Sequence, residues 1–550
     1  MDHHKLAELI FPDIKDTIED LEKRFPTREL PQGAYVTRFA PSPTGYMHIG
    51  GLYAAMISSR LAKQTNGIFY LRIEDTDKKR ELKGGVKEII QSLAGYGVAF
   101  DEGPFAGGEK AYGPYKQSER KKIYQICVKE LMRAGYAYPC FCTAEELDHI
   151  RKQQEEKKDD LGYYGAYARC RDLTYEQIEQ KVKTGIPFVV RLRSNGSDEK
   201  HIMYSDPIRG KIEMPENRMD IVLLKSDGIP TYHFAHIVDD HFMRTNLVVR
   251  GDEWMASYPV HKQMFDLCGF TAPEYLHISP IMKMDGNAKR KLSKRKDPEA
   301  AVSYYLEEGF PSDSVKEYLL TIANSNYEEW HKANPDKTGE DFELSCSKMP
   351  VSGALFDMVK LTDVSREIIA GFSIAMCEKQ ILEWAQQYEP DLYQFAKAHQ
   401  DQFQETIALW KMSGKKVRKD VSKWSELTQM FDYLYMPQEK FEQVVVYELD
   451  DKYTKEQLAE VIGEYKKNLF LDTNEWFSNM KALGEPMGYC PDMKEYKKHP
   501  QDYRGSISDL CTMVRVAVTG HKNSPDLYTI MKVLGEETVQ RRLDQFLERL

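Results

Sequence analysis

The alternation of apolar and polar positions changes character along the chain, and each change marks a predicted boundary. Residues 1–33 place Leu6, Leu9, Ile10, Ile14, Ile18 and Leu21 at helical spacing, interrupted at Pro12, so a broken helical extension is expected. From 34 to 132 short apolar runs, Tyr35 to Phe39 and Ile68 to Ile73, alternate with amphipathic stretches such as Leu52 to Thr65, which repeats Leu52, Ala55, Met56, Ser59 and Ala62. That alternation predicts one half of a doubly wound parallel α/β fold. Over 133–225 the rhythm breaks into the polar run Arg151 to Asp160 and a strand from Phe188 to Arg193, read as a small α+β insertion. Residues 226–305 restore the pattern, with Leu247 to Arg250 as a core strand and a second half-fold. Helical spacing then dominates 306–380 and 381–550, predicting all-α C-terminal domains; there is no internal repeat or low-complexity tract.

Where the first strand hands over to the first long helix, the chain reads RFAPSPTGYMHIGG, Arg38 to Gly51. Two prolines keep the loop extended, and a helix N-terminus presents N–H groups and a positive dipole. Gly50 and Gly51 allow close backbone approach, and His48 offers a ring donor, so the junction suits a nucleotide phosphate. A second candidate follows the turn Met284-Asp285-Gly286-Asn287: the basic run KRKLSKRK, in which Lys291 and Lys294 bracket Ser293. Alone, a glycine turn before a helix is often packing punctuation and a charge run often a solvated face.

Composition narrows the class. A length of 550 residues suggests about four domains of ordinary size, and 41% hydrophobic residues suffice for their cores. No apolar run approaches the ~18 residues of a membrane span, and Asp2, Lys5, Glu8, Asp13 and Lys15 near the start are unlike a signal peptide, so a cytoplasmic chain without membrane contact is expected. Nine scattered cysteines do not resemble a disulfide framework. The net charge of −10 argues against a general nucleic-acid binder, yet 283–296 carry seven Lys or Arg against one Asp, and 411–423 six against one. These two runs are the candidate phosphate tracks.

In order along the chain, RFAPSPTG, His48-Ile-Gly-Gly, LRIEDTD (Leu71 to Asp77), PTYHFAHIVDDH, VVRGDEW (to Trp254) and LSKRK resemble the class I aminoacyl-tRNA synthetases, whose paired signatures are His-Ile-Gly-His and Lys-Met-Ser-Lys-Ser. The segments between the pair resemble the glutamyl branch. The likeness runs from Val36 to about Lys296 and returns from Met513 to Gly535.

The resemblance implies a Rossmann-like catalytic domain split into 34–132 and 226–305, a connective, acceptor-binding insertion, a stem-contact domain over 306–380 and an anticodon-binding domain over 381–550. It implies activation of L-glutamate by ATP with Mg²⁺ to the glutamyl-adenylate, then transfer to the 3′ end of tRNA(Glu), in a monomer. His48, Gly50, Lys291 and Lys294 are the implied catalytic set. Arg38, Ala40, Ser42, Glu74, Tyr232, His236 and Arg250 are implied around glutamate, with the two arginines on its side-chain carboxylate and Glu74 and Ser42 on its ammonium. His48, Gly50, Gly51, Glu253, Trp254, Leu292, Ser293 and Lys294 are implied around ATP.

Cys140, Cys142 and Cys170 resemble zinc ligands of some relatives, but Asp172 stands where those place a histidine, and no bound zinc is expected. Gly51 replaces the second signature histidine, and Arg295 the last serine. KMSGKK, Lys411 to Lys416, mimics the lysine signature but lies in a helical region and is read as a basic turn facing RNA or solvent. Glu74 to Asp77 could hold a divalent metal in isolation; the motif context favours amino-acid recognition. A truncated relative modifying a base, or an adenylyltransferase acting without RNA, would not need the 250 or so residues after Lys296.

Overall fold

The computed structural model describes every residue except Thr44, 78–83, 414–415 and 470–474; Thr44 of the first motif and Gly414 and Lys415 of the second basic run therefore lie outside the described residues. The chain forms two compact units, Met1–Tyr304 with Lys316–Asp357, and Tyr305–Val315 with Met358–Leu550.

In the first unit, α1 (His3–Ile10) and α2 (Ile18–Arg24) precede β1 (Val36–Phe39), α3 (Ile49–Gln64), β2 (Ile68–Leu71), α4 (Gly85–Ala94) and α5 (Lys121–Arg133). β1 and β2 pair in parallel, Val36 opposite Ile68, as a crossover through α3 requires. α3 begins three residues before the expected Leu52 because His48 caps it, which puts Gly50 and Gly51 inside the first turn. β2 ends at Leu71; Ile73, expected within it, instead bridges to Lys116.

The insertion supplies β3 (Ala137–Cys140), α6 (Ala144–Lys157), α7 (Tyr175–Lys183), β4 (Val189–Leu192), β5 (His201–Asp206), β6 (Gly210–Pro215) and β7 (Val222–Leu224). β3, β4 and β7 form an antiparallel sheet, while β5 and β6 make a separate hairpin. The second half-fold follows as α8 (Tyr232–Phe242), β8 (Leu247–Gly251), α9 (Tyr258–Cys268) and β9 (Glu274–Ile278), then the hairpin β10 (Ile281–Asp285) and β11 (Ala288–Lys291). β8 and β9 are parallel, with Arg250 opposite His277. Asn246 joins the two half-folds: its Oδ1 accepts from the Val36 N–H at 2.7 Å and its Nδ2 donates to the Ala34 carbonyl at 2.8 Å, laying β8 beside β1.

The N-terminal helices belong to this unit. α1 and α2 pack on α5, and the helix break at Pro12 has a partner: buried Lys129 donates to the carbonyls of Phe11 (3.0 Å), which also accepts from the Ile14 N–H, and of Ile14 (2.6 Å). The second unit is helical, with cores around Trp410 and Trp424 and around Leu510 and Val514. All nine cysteines are free thiols. Among the described residues no helix is long and apolar enough to cross a membrane.

Candidate active site

A cleft of about 370 Å³ opens where the half-folds meet, lined by His48, Gly50 and Gly51 from the start of α3, Gly251 and Glu253 after β8, and Lys291 at the end of β11. The two sequence signatures, 243 positions apart between His48 and Lys291, thus share one cavity.

His48 is more constrained than a free phosphate donor. The Gly50 N–H donates to its Nδ1 at 2.9 Å, and its Nε2 lies 3.2 Å from the Leu292 carbonyl. Because Nδ1 accepts, the ring proton sits on Nε2 and donates to Leu292, so the imidazole ties α3 to the second signature. Burial pushes its pKa below the ordinary value, and Lys294 and Lys291 push the same way against the Leu292 bond. The expected free N–H groups are engaged as well: the Gly51 N–H donates to the His48 carbonyl at 2.7 Å. A Cβ at Gly51 would come within 2.9 Å of Met47 Sδ, a contact that a shift of the methionine side chain relieves.

The second signature forms β11 and the turn after it. Leu292 is buried, the Ser293 N–H donates to Asp297 at 2.9 Å, and Asp297 also takes Arg290 through a pair of bonds of 2.6 and 2.8 Å. Lys283 pairs with Glu299 and Asp297, and Lys291 with Glu253 at 2.8 Å, so much of the expected +6 is neutralised locally. Lys294 makes no ion pair among the described residues; burial lowers its pKa, with Glu88 opposing.

Beside the cleft, Arg38 of β1 and Arg250 of β8 are both 6% exposed. Arg38 Nε lies 3.4 Å from Asp240, which also takes a 2.5 Å bond from Arg72. Arg72 reaches Glu74 at 3.3 Å, and Arg120 reaches Asp239 at 2.6 Å. Burial disfavours charge on Asp240, yet Arg72 and Arg38 outweigh it and hold the carboxyl below the ordinary range; burial raises Glu74 despite the same two arginines. Arg250 Nη2 is buried with no hydrogen-bond partner. Tyr232 faces this set: burial, reinforced by Glu74, pushes its pKa up to about 12, so its hydroxyl is protonated. The Trp254 ring stands 4.4 Å from that of Tyr232 and is 37% exposed, so it is not part of the core. Ala40 follows β1 at the rim and Ser42 is exposed. His236 is fully buried behind Tyr232, with Nε2 2.9 Å from the Tyr275 hydroxyl.

Sequence reasoning did not single out Arg72, Arg120, Asp239 or Asp240. Their signal was present: two adjacent aspartates inside the apolar helical run HFAHIVDDHF must be buried, and buried carboxylates need cations.

In the insertion, the Sγ atoms of Cys140, Cys142 and Cys170 lie within 4.8 Å of one another. Asp172, which stands where some relatives place a histidine ligand, is 85% exposed and pairs with Arg193. The Tyr163 hydroxyl lies 3.5 Å from Cys140 Sγ and 3.2 Å from Cys142 Sγ, and accepts from the Cys170 N–H at 3.0 Å. Hydrogen bonds from Cys142 and Cys170 push Cys140 toward the thiolate.

The second basic run is corrected by the fold. Lys411 is buried and its Nζ caps the carbonyls of Ile369 (2.7 Å) and Ala370 (3.1 Å); Lys419 pairs with Glu367, Arg418 with Asp420 and Lys423 with Glu308. Buried Lys411 is thus committed to protein carbonyls, and the acidic partners of Arg418, Lys419 and Lys423 reduce the positive potential of the run.

A family model described as tRNA synthetases class I (E and Q), catalytic domain, matches residues 34–347, and one described as an anticodon binding domain matches 494–547. The chain is 46% identical to a glutamate–tRNA ligase of Clostridium perfringens and 43% identical to one of Acetivibrio thermocellus, each over 100% of both chains. Its fold is similar to the crystal structure of a glutamate tRNA ligase from Elizabethkingia meningosepticum in complex with its amino acid, with a TM-score of 0.72 and 26% identity over 94% of this chain and 99% of that one.

Proposed function

The chain belongs to the glutamate–tRNA ligases, class I tRNA synthetases, and from that membership and the geometry of the cleft we infer that it joins L-glutamate to tRNA(Glu) with ATP. The reaction runs in two steps. The glutamate α-carboxylate attacks the α-phosphorus of ATP, pyrophosphate leaves, and the terminal ribose hydroxyl of the tRNA then takes the acyl group and releases AMP. Neither step needs a protein nucleophile; both need positioning and fixed positive potential where phosphoryl oxygens gain charge.

The observation that carries the reading is the buried donor set beside the cleft, in which Arg250 Nη2 lacks a partner. An arginine fork satisfies a carboxylate with two charge-assisted bonds, worth about 1.5–3 kcal/mol each. Arg250 and Arg38 therefore receive the glutamate side-chain carboxylate, Tyr232 adds a hydroxyl, and Glu74 with Ser42 receives the ammonium. Glutamine, whose amide presents N–H groups to the same donors, is disfavoured. In the cleft, the His48 Nε2–H moves from the Leu292 carbonyl to a phosphate oxygen, while Lys294, and Lys291 on leaving Glu253, face the phosphates from the other side. Glu253, Gly50 and Gly51 line the cleft and flank the nucleotide, and Trp254, Leu292 and Ser293, which follow the lining residues Glu253 and Lys291 in sequence, complete the implied ATP set.

Mg²⁺ supplies charge neutralisation on the triphosphate. Among the cleft-lining residues, Glu253 is the carboxylate that would help to hold the ion. For zinc, the three thiols would supply three ligands of a closed site, with the Tyr163 hydroxyl beside them. The insertion receives the acceptor end, 306–380 the tRNA stem and 381–550 the anticodon, in a monomer acting in the cytoplasm.

ATP–pyrophosphate exchange with glutamate, with and without tRNA, tests the assignment. Exchange that needs glutamate and tRNA and ignores glutamine is expected; exchange without RNA would point to an adenylyltransferase, and none would remove the catalytic reading.

A further inference from the structure

Arg250 is held by side chains that neither reaction step uses. Its Nε donates to His277 Nε2 at 3.0 Å, and its Nη1 lies 3.1 Å from His261 Nδ1. A guanidinium has only donors, so both ring nitrogens facing it must present lone pairs. That fixes both tautomers. His277 carries its proton on Nδ1 and donates to Asp206 Oδ2 at 2.8 Å; His261 carries its proton on Nε2 and faces His233 Nδ1 at 3.0 Å. The Tyr275 ring lies 4.3 Å from the guanidinium and blocks one face. What remains of the fork is Nη2, buried and unpartnered.

Asp206 does not belong to the catalytic half-folds. It is the last residue of β5, in the inserted hairpin, and is 1% exposed. Its Oδ1 accepts from the N–H groups of Ile208 (2.8 Å) and Arg209 (3.1 Å) in the hairpin turn, and its Oδ2 also accepts from the His277 N–H at 3.0 Å. Arg209 crosses to Asp252 (2.8 Å) and Ser279 (3.1 Å), and Tyr204 of β5 stacks on Tyr258 at 4.0 Å between centroids. The hairpin is therefore fastened to the ends of β9 and β8, on both sides of the strand position that carries Arg250.

We infer that Asp206 and His277, with His261 opposite, are positioning residues for amino-acid recognition. The inserted hairpin sets the angle of the guanidinium through the Asp206–His277 bond, so glutamate affinity depends on how that hairpin is seated. This rests on the assignment of Arg250 to the glutamate side-chain carboxylate.

Steady-state KM values for glutamate and ATP in full-length His277→Leu, His277→Gln, Asp206→Ala and Arg250→Ala enzymes test it. His277→Leu removes both bonds and keeps bulk; the Gln Oε1 restores an acceptor where Nε2 stood. The Leu variant is expected to raise the glutamate KM by about tenfold or more, the scale of one hydrogen bond to a charged group, with the ATP KM within about twofold. The Gln variant should recover most of the loss. KM reports only active enzyme, so a reduced folded fraction does not imitate the effect. Asp206→Ala should act in the same direction, and combined with His277→Leu should add less than the product of the single effects, because both act through one ring. An unchanged glutamate KM in His277→Leu, no recovery with Gln, or full multiplicativity with Asp206→Ala overturns the relay. An unchanged glutamate KM in Arg250→Ala overturns instead the assignment on which it rests.

Discussion

Replacing His48 by asparagine and by alanine separates two roles that the fold combines in one ring. The ring caps α3 through Nδ1 and holds Leu292 through Nε2. An N-cap is worth about 1 kcal/mol and a neutral hydrogen bond about 0.5–1.5 kcal/mol net, so His48→Ala should lose about 1.5–2.5 kcal/mol. Asparagine is among the best N-caps and keeps an oxygen for the Gly50 N–H, yet is too short to reach Leu292; His48→Asn should lose only about 1 kcal/mol. Rate should not follow stability. If the imidazole donates to a phosphoryl oxygen in the transition state, both variants lose that donor, and exchange should fall by about 10²–10³ in each. Urea unfolding of the intact protein and ATP–pyrophosphate exchange in the presence of tRNA measure the two quantities independently. Equal destabilisation of the two variants would refute the capping argument. An asparagine variant exchanging at the parent rate would remove the imidazole from the transition state.

Lys294→Ala should slow exchange about 10²-fold or more with unchanged urea stability, because the side chain makes no ion pair among the described residues; an equal loss of stability would refute that separation. Elemental analysis of purified protein should find about one zinc per chain, and Cys142→Ser or Tyr163→Phe should lower both zinc content and thermal stability; a metal-free protein unaffected by either change would sink the site. Burial holds His48, His233, His236, His261 and His277 below their ordinary value of 6.5. The unfolded chain therefore takes up protons first as pH falls through 6.5, and stability present above that value is lost below it. His521, raised by Asp432 and then by Glu448, has the opposite sign: its contribution is present below 6.5 and lost as pH rises through its folded value. Hydrogen exchange at about pH 5.5 and about pH 7.5, corrected for intrinsic rates, should show the first unit loosening at the lower pH and the surroundings of His521 at the higher; a uniform response would refute the assignment.

What could be read from the sequence divides along a physical line. Periodicity is local, so the strands around Arg38 and Arg250 and the helix after His48 were legible to within a few residues. The ordered motifs placed His48 and Lys291 in one cleft although nothing local connects them. Charge was legible only as a sign. Whether a cation is available to a ligand depends on counter-charges that the fold delivers from far along the chain. Lys411 is spent on carbonyls of residues 369 and 370, and Arg72 on an aspartate 168 residues away. The neighbour of the cysteine cluster was illegible for the same reason: Asp172, near Cys170 in sequence, turns outward to Arg193, while the Tyr163 hydroxyl lies against the thiols. The lysine signature shows the limit most sharply. Lys291 and Lys294 are equivalent as letters, yet Lys291 rests on Glu253 at 2.8 Å and must leave it to meet a phosphate, whereas Lys294 has no such bond to break. Equal substitutions at the two positions should therefore differ: Lys294→Ala removes a cation with no ion-pair partner among the described residues, while Lys291→Ala also strips the cleft residue Glu253 of its counter-charge.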